Sequence, residues 1–476
     1  MNDEKIELHD YQIEGIEFLI KRKCALLALD MGLGKSATTI TACDKIGAKN
    51  ILVICPAIVR HNWINEFDKF SENHKPIVVY KKKEIAQVSI VSFDFALDHG
   101  EELLKTKWDV LVVDESHYLK NPMAKRTKAI IGKNGIVHSA GRVWFLSGTP
   151  MGNHVGDLWT TFYTFGVTKL KYADFIKEFC DTSVNPWGGL TIHGSKKNKL
   201  KEIGEMLATI MYRKTKDDVM IELPPISYQD IIVEQVDLSV EDLQRDPKCM
   251  AYLFPMDKTK ELFEKIKKEA ELIKSLDEAQ SFTTLHGFKL LEGIANSVST
   301  LRVYCGLQKA IQIKEIIEED LKQNPEKKIV IFAVHLAPIS YLRDNLKEFG
   351  IRAIYGGTPD GKKQTYITNF MTKPEYRVLV CNIQSAGIGI NLTAASDVYM
   401  VETAWSPNPN AQAIMRCHRK GQKNKVFVKF VSLANSIDQK ITFVLRRKIK
   451  EITEVLDYAK KKEDKLTLPK PEGDLL

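Results

Sequence analysis

The 476-residue chain is 44% hydrophobic and 27% charged, a composition that excludes a disordered or fibrous protein and is long enough for two or three domains. Lys and Arg outnumber Asp and Glu by 69 to 61, a formal charge of +8; this suits a polyanionic partner without requiring one, and lysine clusters at 81–83, 196–201 and 460–462 read equally well as solvated surface. The eight cysteines form no C-x-x-C pair, no apolar run reaches the length of a membrane span, and the N-terminus is charged, so neither a zinc site, a membrane segment nor a secretory leader is expected and a cytosolic protein is.

Residues 7–20, ELHDYQIEGIEFLI, read as an amphipathic helix entered near Asp10, with Ile13, Ile16 and Ile20 on its apolar face. Gln12 on this helix could meet an adenine edge as both donor and acceptor. The stretch ALLALDMGLGKSATT at 25–39 follows. Its apolar half is a buried strand, its glycines Gly32 and Gly34 form a turn, and Lys35 and Ser36 open a helix. Such a strand–turn–helix cradles phosphate, because glycines let backbone N–H groups approach and the helix end adds partial positive charge. Lys35 would reach the β- and γ-phosphates and Ser36 would ligate Mg²⁺. The usual glycine six positions before the lysine is Leu29 here, and the short motif alone would also describe a plain turn before a helix.

Strands are expected at 50–55, 88–92, 108–113 and 143–146, and a helix at 57–70. The strand WDVLVV ends in Asp114 and Glu115. Two carboxylates at a strand tip after a P-loop suit Mg²⁺ support by Asp114 and activation of water by Glu115. Ser147 and Thr149 follow the next strand in SGTP. From 151 the alternation weakens into helical stretches interrupted by WGGLTIHGSKKNKLK at 187–201. Pro224-Pro225 marks the end of a first lobe, and 257–280 reads as a long charged helix with a seam of Phe263, Ile266, Ala270 and Ile273. Alternation resumes near 310, with strands at 328–334, 351–355, 377–381, 398–401 and 426–431 and a C-terminal helix from about 437 to 461. This second parallel lobe has no P-loop. It carries Gly387, Gly389, Asn391 and Thr393, then Gln412, Arg416 and Arg419. The two arginines, three apart on an expected helix, would share a face and serve as arginine fingers.

In order, LHDYQ, DMGLGKS, ICPAIVRHNW, DESH, LSGTP, YRKTKDDVMIELPP, KIVIFAVH, YGGTPDGKKQ, SAGIGINLTAAS, ETAWSP and QAIMRCHRKGQ run from near residue 8 to 422. The set resembles the Swi/Snf-type ATPases, double-stranded-DNA translocases of helicase superfamily two. The stretch at 178–207 also looks like the annealing-helicase subgroup. The resemblance implies α/β architecture with two RecA-like parallel-sheet lobes and helical insertions: an ATP-binding lobe over 1–225 with an insertion at about 151–215, a helical linker over 226–310, and a helicase C-terminal lobe over 311–476. It implies that Gln12 reads adenine, that Gly32, Gly34, Lys35 and Ser36 hold phosphate and Mg²⁺, that Asp114 supports the metal and Glu115 activates water, and that Gln412, Arg416 and Arg419 complete the site. Ser147 and Thr149 would couple it to DNA. The sequence departs from the family at Leu29, usually acidic, at Arg213-Lys214, usually two arginines, and at Lys363, usually Arg. ATP and Mg²⁺ are the expected cofactors and double-stranded or forked DNA the expected partner, for a monomer in a bacterial or phage-infected cytosol. The rival readings are a strand-separating DNA or RNA helicase and a DNA-binding scaffold that does not hydrolyse.

Overall fold

Short apolar runs rich in Val, Ile and Leu form the strands. In chain order these are β1 Cys24–Leu29, β2 Ile51–Cys55, β3 Ile77–Val78, β4 Val88–Ser92, β5 Trp108–Asp114, β6 Ala140–Leu146, β7 Cys180–Val184, β8 Leu190–Ser195 and β9 Met211–Lys214. The computed structural model describes residues 8–184, 190–219, 223–234, 265, 268–269, 299–386, 390–419, 421–434 and 436–463. Contacts divide the chain into a unit of residues 1–221 with 449–476 and a unit of residues 222–448.

The first unit is built on a seven-stranded sheet in the order β3-β4-β2-β5-β6-β1-β9, and each strand pairing in it is parallel. Strands β2 and β4 are buried along their whole length, as expected where helices cover both faces of a parallel sheet. One face packs Leu26, Leu52, Leu111, Val113 and Phe145 under the insertion. The other packs Leu27, Val53, Val112 and Trp144 against the first helix and the P-loop helix Lys35–Lys45. The first helix spans Asp10–Ile20, and its buried face is Tyr11, Gln12, Gly15, Ile16, Phe18 and Leu19. Ile13 is exposed, so the expected apolar face is corrected by about one position. The side facing the sheet is set by Gly15, where a Cβ would lie 3.1 Å from Thr38 and 3.2 Å from Tyr212. The expected helix at 57–70 divides into a 3-10 turn, Ala57–Val59, and the helix Arg60–Phe70.

The insertion is not purely helical. Strands β7 and β8 pair antiparallel as a separate hairpin, rooted where the Val155 N–H donates to Ser195 Oγ at 3.1 Å. Residues 187–189 lie outside the described residues.

The second unit has β10 Ile226–Val233, β11 Ile329–Ala333, β12 Arg352–Ile354, β13 Val378–Asn382, β14 Asp397–Met400 and β15 Val426–Leu433. They form one sheet in the order β10-β15-β14-β11-β13-β12, again parallel throughout. The 25-residue helix Ser299–Gln323 packs on it through Leu301, Leu307, Ala310, Ile313 and Ile317. The expected linker over 226–310 is thus corrected at both ends. Residues 226–233 are a strand pairing with β15 over eight positions, a role that the weak alternation of ISYQDIIV hides. Residues 299–310 belong to a core helix. Apart from residues 265, 268 and 269, which are helical, the helix expected over 257–280, with Phe263, Ile266, Ala270 and Ile273, lies outside the described residues, as do Gly387 and Gly389.

The last helix, Ile437–Glu463, starts in the second unit and ends in the first. Val455, Leu456 and Ala459 are buried in the first unit's core with Leu200, Ile203 and Leu207. Gly204 permits this approach: a Cβ there would sit 2.5 Å from Tyr458 Cβ and 2.8 Å from the Val455 carbonyl. Ser195 N–H donates to the buried Glu451 carboxylate at 3.2 Å, and Lys460 pairs with Asp218. Gly204→Val is therefore expected to destabilise the protein by about 1–3 kcal/mol through overpacking against backbone. Thermal melting checks it, and an unchanged midpoint would contradict this close approach.

Candidate nucleotide site

In a parallel α/β sheet, the loops after the strand C-termini share one edge, where ligands bind. In the first unit three such loops come from β1, β5 and β6, two of which, β1 and β5, each pair with β6.

The loop after β1 carries Gly32 and Gly34 at φ of +86° and +78°. Gly34 caps the P-loop helix in the left-handed region, and having no side chain it leaves the first helical N–H groups without a cap from that residue. A Cβ at Gly34 would collide with Gln12 Nε2, so glycine is required there on two counts. Lys35 folds over the loop and donates to the carbonyls of Leu29 at 2.9 Å and Asp30 at 3.4 Å. Its Nζ would be 3.5 Å from a Cβ built on Gly148, which places it beside the loop after β6. Leu29, a departure in sequence, contributes its backbone oxygen to Lys35 while its side chain is fully buried. Ser36 is half-buried at the second position of the helix. Gln12 is buried; its Oε1 accepts from His9 N–H at 2.9 Å, and its Nε2 donates to Leu33 O at 3.4 Å. The structure thus brings Gln12 to the P-loop backbone.

Asp114 ends β5. Burial, then the neighbouring Glu115 carboxylate, raises its pKa to about 6, against the lowering influence of the Trp63 hydrogen bond and of Lys35. Trp63 Nε1–H donates to Asp114 Oδ2 at 2.9 Å and Glu115 N–H donates to Oδ1 at 2.9 Å. Trp63 stands within the quoted ICPAIVRHNW stretch, but 51 residues from Asp114. Nothing in spacing alone connects them, and sequence reasoning missed it. Glu115 is the one non-glycine residue with positive φ among the described residues, at +51°. Such a conformation costs roughly 1–3 kcal/mol and clusters at functional sites. Its Oε2 lies 3.3 Å from His117 Nδ1, which in turn lies 3.3 Å from the fully buried Ser147 Oγ. Ser147 Oγ accepts from Thr149 N–H at 3.1 Å. The DESH and SGTP segments are thus one polar chain. Arg213 joins the loops from another side, within 3.4 Å of Asp30 Oδ1 and 3.5 Å of the Gly148 carbonyl, while Lys214 pairs with Glu14 at 3.0 Å.

The donor set suits a magnesium–nucleotide complex. An ammonium held only by carbonyl oxygens can transfer to phosphate oxygens, and two adjacent carboxylates, one with its pKa raised by burial, favour a divalent cation.

In the second unit the helix Pro407–Ile414 carries Gln412 and ends before the arginines. The expected helical face shared by Arg416 and Arg419 is therefore corrected. Residues 415–419 turn, with Cys417 N–H bonded to Ile414 O at 3.1 Å, because fully buried Cys417 and the His418–Pro224 carbonyl contact at 2.8 Å pull the chain inward. Arg416 is buried, and its carbonyl accepts from Leu392 N–H at 3.0 Å. Arg419 Nη1 donates to Ile390 O at 3.3 Å, and burial lowers its pKa from the usual guanidinium value. Asn391 is exposed and Thr393 half-buried in the adjoining loop.

Two family models match the chain, an SNF2-related domain over residues 11–245 and a helicase conserved C-terminal domain over 308–421. The DNA annealing helicase and endonuclease ZRANB3 of Mus musculus is 26% identical over 96% of this chain and 41% of its own length. A SWI/SNF-related matrix-associated actin-dependent regulator of chromatin subfamily A-like protein 1 homolog of Caenorhabditis elegans is 28% identical, over 94% of this chain and 62% of its own. The Sulfolobus solfataricus SWI2/SNF2 ATPase core in complex with dsDNA aligns over 98% of both chains at 24% identity, with a TM-score of 0.42. The chain spans about two fifths to three fifths of the length of the two curated relatives. With its P-loop inside the one matched domain and its arginine segment inside the other, the chain belongs to the Swi/Snf-type family of helicase-superfamily ATPases.

Proposed function

We propose that this chain hydrolyses ATP with Mg²⁺ and couples hydrolysis to movement along double-stranded or forked DNA. Family membership supports the reading, and the observation that carries it is the ordered contact series from Asp114 through Glu115, His117 and Ser147 to Thr149 at one sheet edge, with the Lys35 charge near enough to lower the Asp114 pKa. The name of the mouse relative, a DNA annealing helicase, favours forked substrates within this class. In this reading the first unit binds nucleotide and the second supplies the completing arginines, in a cytosolic monomer; the expected division into 1–225 and 311–476 is narrowed, because residues 449–476 belong with the first unit. No described helix is long and apolar enough to cross a membrane.

Each residue has a role. Lys35 and the backbone around Gly32 and Gly34 bind phosphate oxygens, Gln12 meets the adenine, and Ser36 and Asp114 hold Mg²⁺. Among the described residues no cluster of three His, Cys, Asp or Glu could hold a metal unaided, which fits a cation completed by the nucleotide's own phosphates. Bound there, the ion would neutralise charge on the transferring phosphoryl group. Glu115 takes the proton of the attacking water and hands its change of charge to His117 and Ser147. Gln412, Arg416 and Arg419 supply the remaining contacts and positive charge to the nucleotide.

Removing the base while keeping its shape separates binding from turnover. Glu115→Gln is expected to retain Mg²⁺ and ATP binding while turnover falls at least about 10²-fold, the lower end for general-base catalysis. Lys35→Ala should instead weaken nucleotide binding itself. Turnover near wild type in Glu115→Gln would assign the base elsewhere.

Trp63→Phe keeps an aromatic ring but deletes the N–H that orients Asp114. It should raise the Mg²⁺ concentration needed for half-maximal hydrolysis about 10-fold or more, the usual cost of losing a ligand's hydrogen-bond partner. An unaltered Mg²⁺ titration would dissociate Trp63 from the metal site.

Duplex or forked DNA should stimulate hydrolysis far more than RNA, with affinity falling steeply as salt rises, because phosphate contacts release counterions. ATPase rates across a polymer panel at several salt concentrations test both points. Equal stimulation by RNA would overturn the DNA assignment.

A further inference from the structure

The arginines proposed to act in hydrolysis hang from a segment that begins at the tip of β14, and the start of that segment is held by a helix of unrelated sequence position. Arg302, near the start of the helix Ser299–Gln323, is buried. Its Nη2–H donates to the Thr403 carbonyl at 2.7 Å, and its guanidinium lies 4.9 Å from the centre of the Trp405 ring. One turn on, Gly306 lies so close to Glu402 that a Cβ would strike its carboxylate. Glu402 is itself buried and accepts from Val334 N–H at 2.9 Å, His335 N–H at 2.8 Å and His335 Nδ1 at 2.6 Å. Positions 302 and 306 are on one helical face. Together they grip residues 402, 403 and 405, directly before the helix Pro407–Ile414. Asn410 then closes the turn by accepting from Ala404 N–H at 2.8 Å and donating to the Ser406 carbonyl at 3.0 Å.

Burial lowers the Arg302 pKa although the Glu402 and Asp438 carboxylates act to raise it; those charges offset part of the burial cost but do not orient the guanidinium, which is aimed at one backbone oxygen and one aromatic face. We propose that Arg302 is a positioning residue for hydrolysis, which fixes the 402–406 turn and thereby the placement of Arg416 and Arg419 without touching nucleotide. The planar guanidinium can satisfy the carbonyl and the ring at once; a lysine ammonium cannot hold both in a fixed geometry. This rests on the reading that Arg416 and Arg419 serve turnover.

The test is a double-mutant cycle. Arg302→Lys, Arg419→Ala and the combined variant are compared for melting temperature, for affinity toward a fluorescent ATP analogue, and for duplex-stimulated turnover at saturating ATP. Arg302→Lys should lower turnover by up to about 10²-fold, the scale of a one-ångström misplacement, while nucleotide affinity and melting stay near wild type. The combined variant should be little slower than Arg419→Ala alone, because both changes disable one element. Full turnover in Arg302→Lys, or losses that multiply in the combined variant, would overturn the proposal. If Arg302→Lys folds poorly, Gly306→Ala displaces Glu402 from the same side; it should show the same loss of turnover with nucleotide affinity kept, and full turnover in it counts against the proposal. Arg419→Ala with undiminished turnover would instead remove the finger reading on which this one stands.

Discussion

Everything at the candidate site depends on the parallel arrangement of the first sheet. A strand buried on both faces can use only its ends for chemistry, and parallel pairing sends the C-terminal ends to one edge. Register then does the fine placement. Asp114 pairs with Leu146 across β5 and β6, and Leu27 pairs with Leu146 across β1 and β6. The loops bearing Lys35, Glu115 and Ser147 therefore leave the sheet at neighbouring points. No side-chain interaction could substitute for this, because each contact in the site is short and local.

Within that frame the electrostatics are opposed on purpose. Two carboxylates in sequence, both half-buried at a strand end, repel each other, and desolvation together with Glu115 holds Asp114 well above the usual carboxylate pKa. The indole N–H of Trp63 and the Glu115 N–H offset part of that cost. Hydrogen bonds from neutral donors orient the carboxylate without cancelling its charge, so it stays receptive to a cation. The left-handed backbone at Glu115 stores strain at the same place. The second unit uses a different device: Glu402 takes three donors and is fully committed, which suits a structural anchor.

Much of this was legible in the sequence. The strands at 51–55, 88–92 and 108–114 are short, mostly apolar runs with sharp ends, and the residue types of GLGKS and DESH carry their chemistry locally. Three kinds of feature were not. Strand β10 follows Pro225 and has a weak pattern, because half of it is solvent-facing at the sheet edge. The Trp63–Asp114 and Arg302–Thr403 bonds join positions 51 and 101 residues apart, and side-chain partnerships at that range are set by topology. The turn at 415–419 looks helical by spacing, but the burial of Cys417 and the pull of Leu392 on the Arg416 carbonyl end the helix at Ile414.

The packing of residues 449–463 on the insertion helix Leu200–Ala208 gives the molecule a discontinuous first unit. On the ribosome, the seven strands of that unit's main sheet emerge well before the segment that covers Ile203 and Leu207. Until Val455 and Ala459 are made, this apolar surface has no native cover, and domains that complete themselves late in synthesis are exposed to misassembly. The contacts concerned span about 250 residues of sequence, as the Ser195–Glu451 bond at a separation of 256 illustrates, so their closure is entropically late in folding as well as in translation. The chain is thereby ordered in time: the unit that carries the P-loop reaches its finished form only after the arginine-bearing unit has been synthesised.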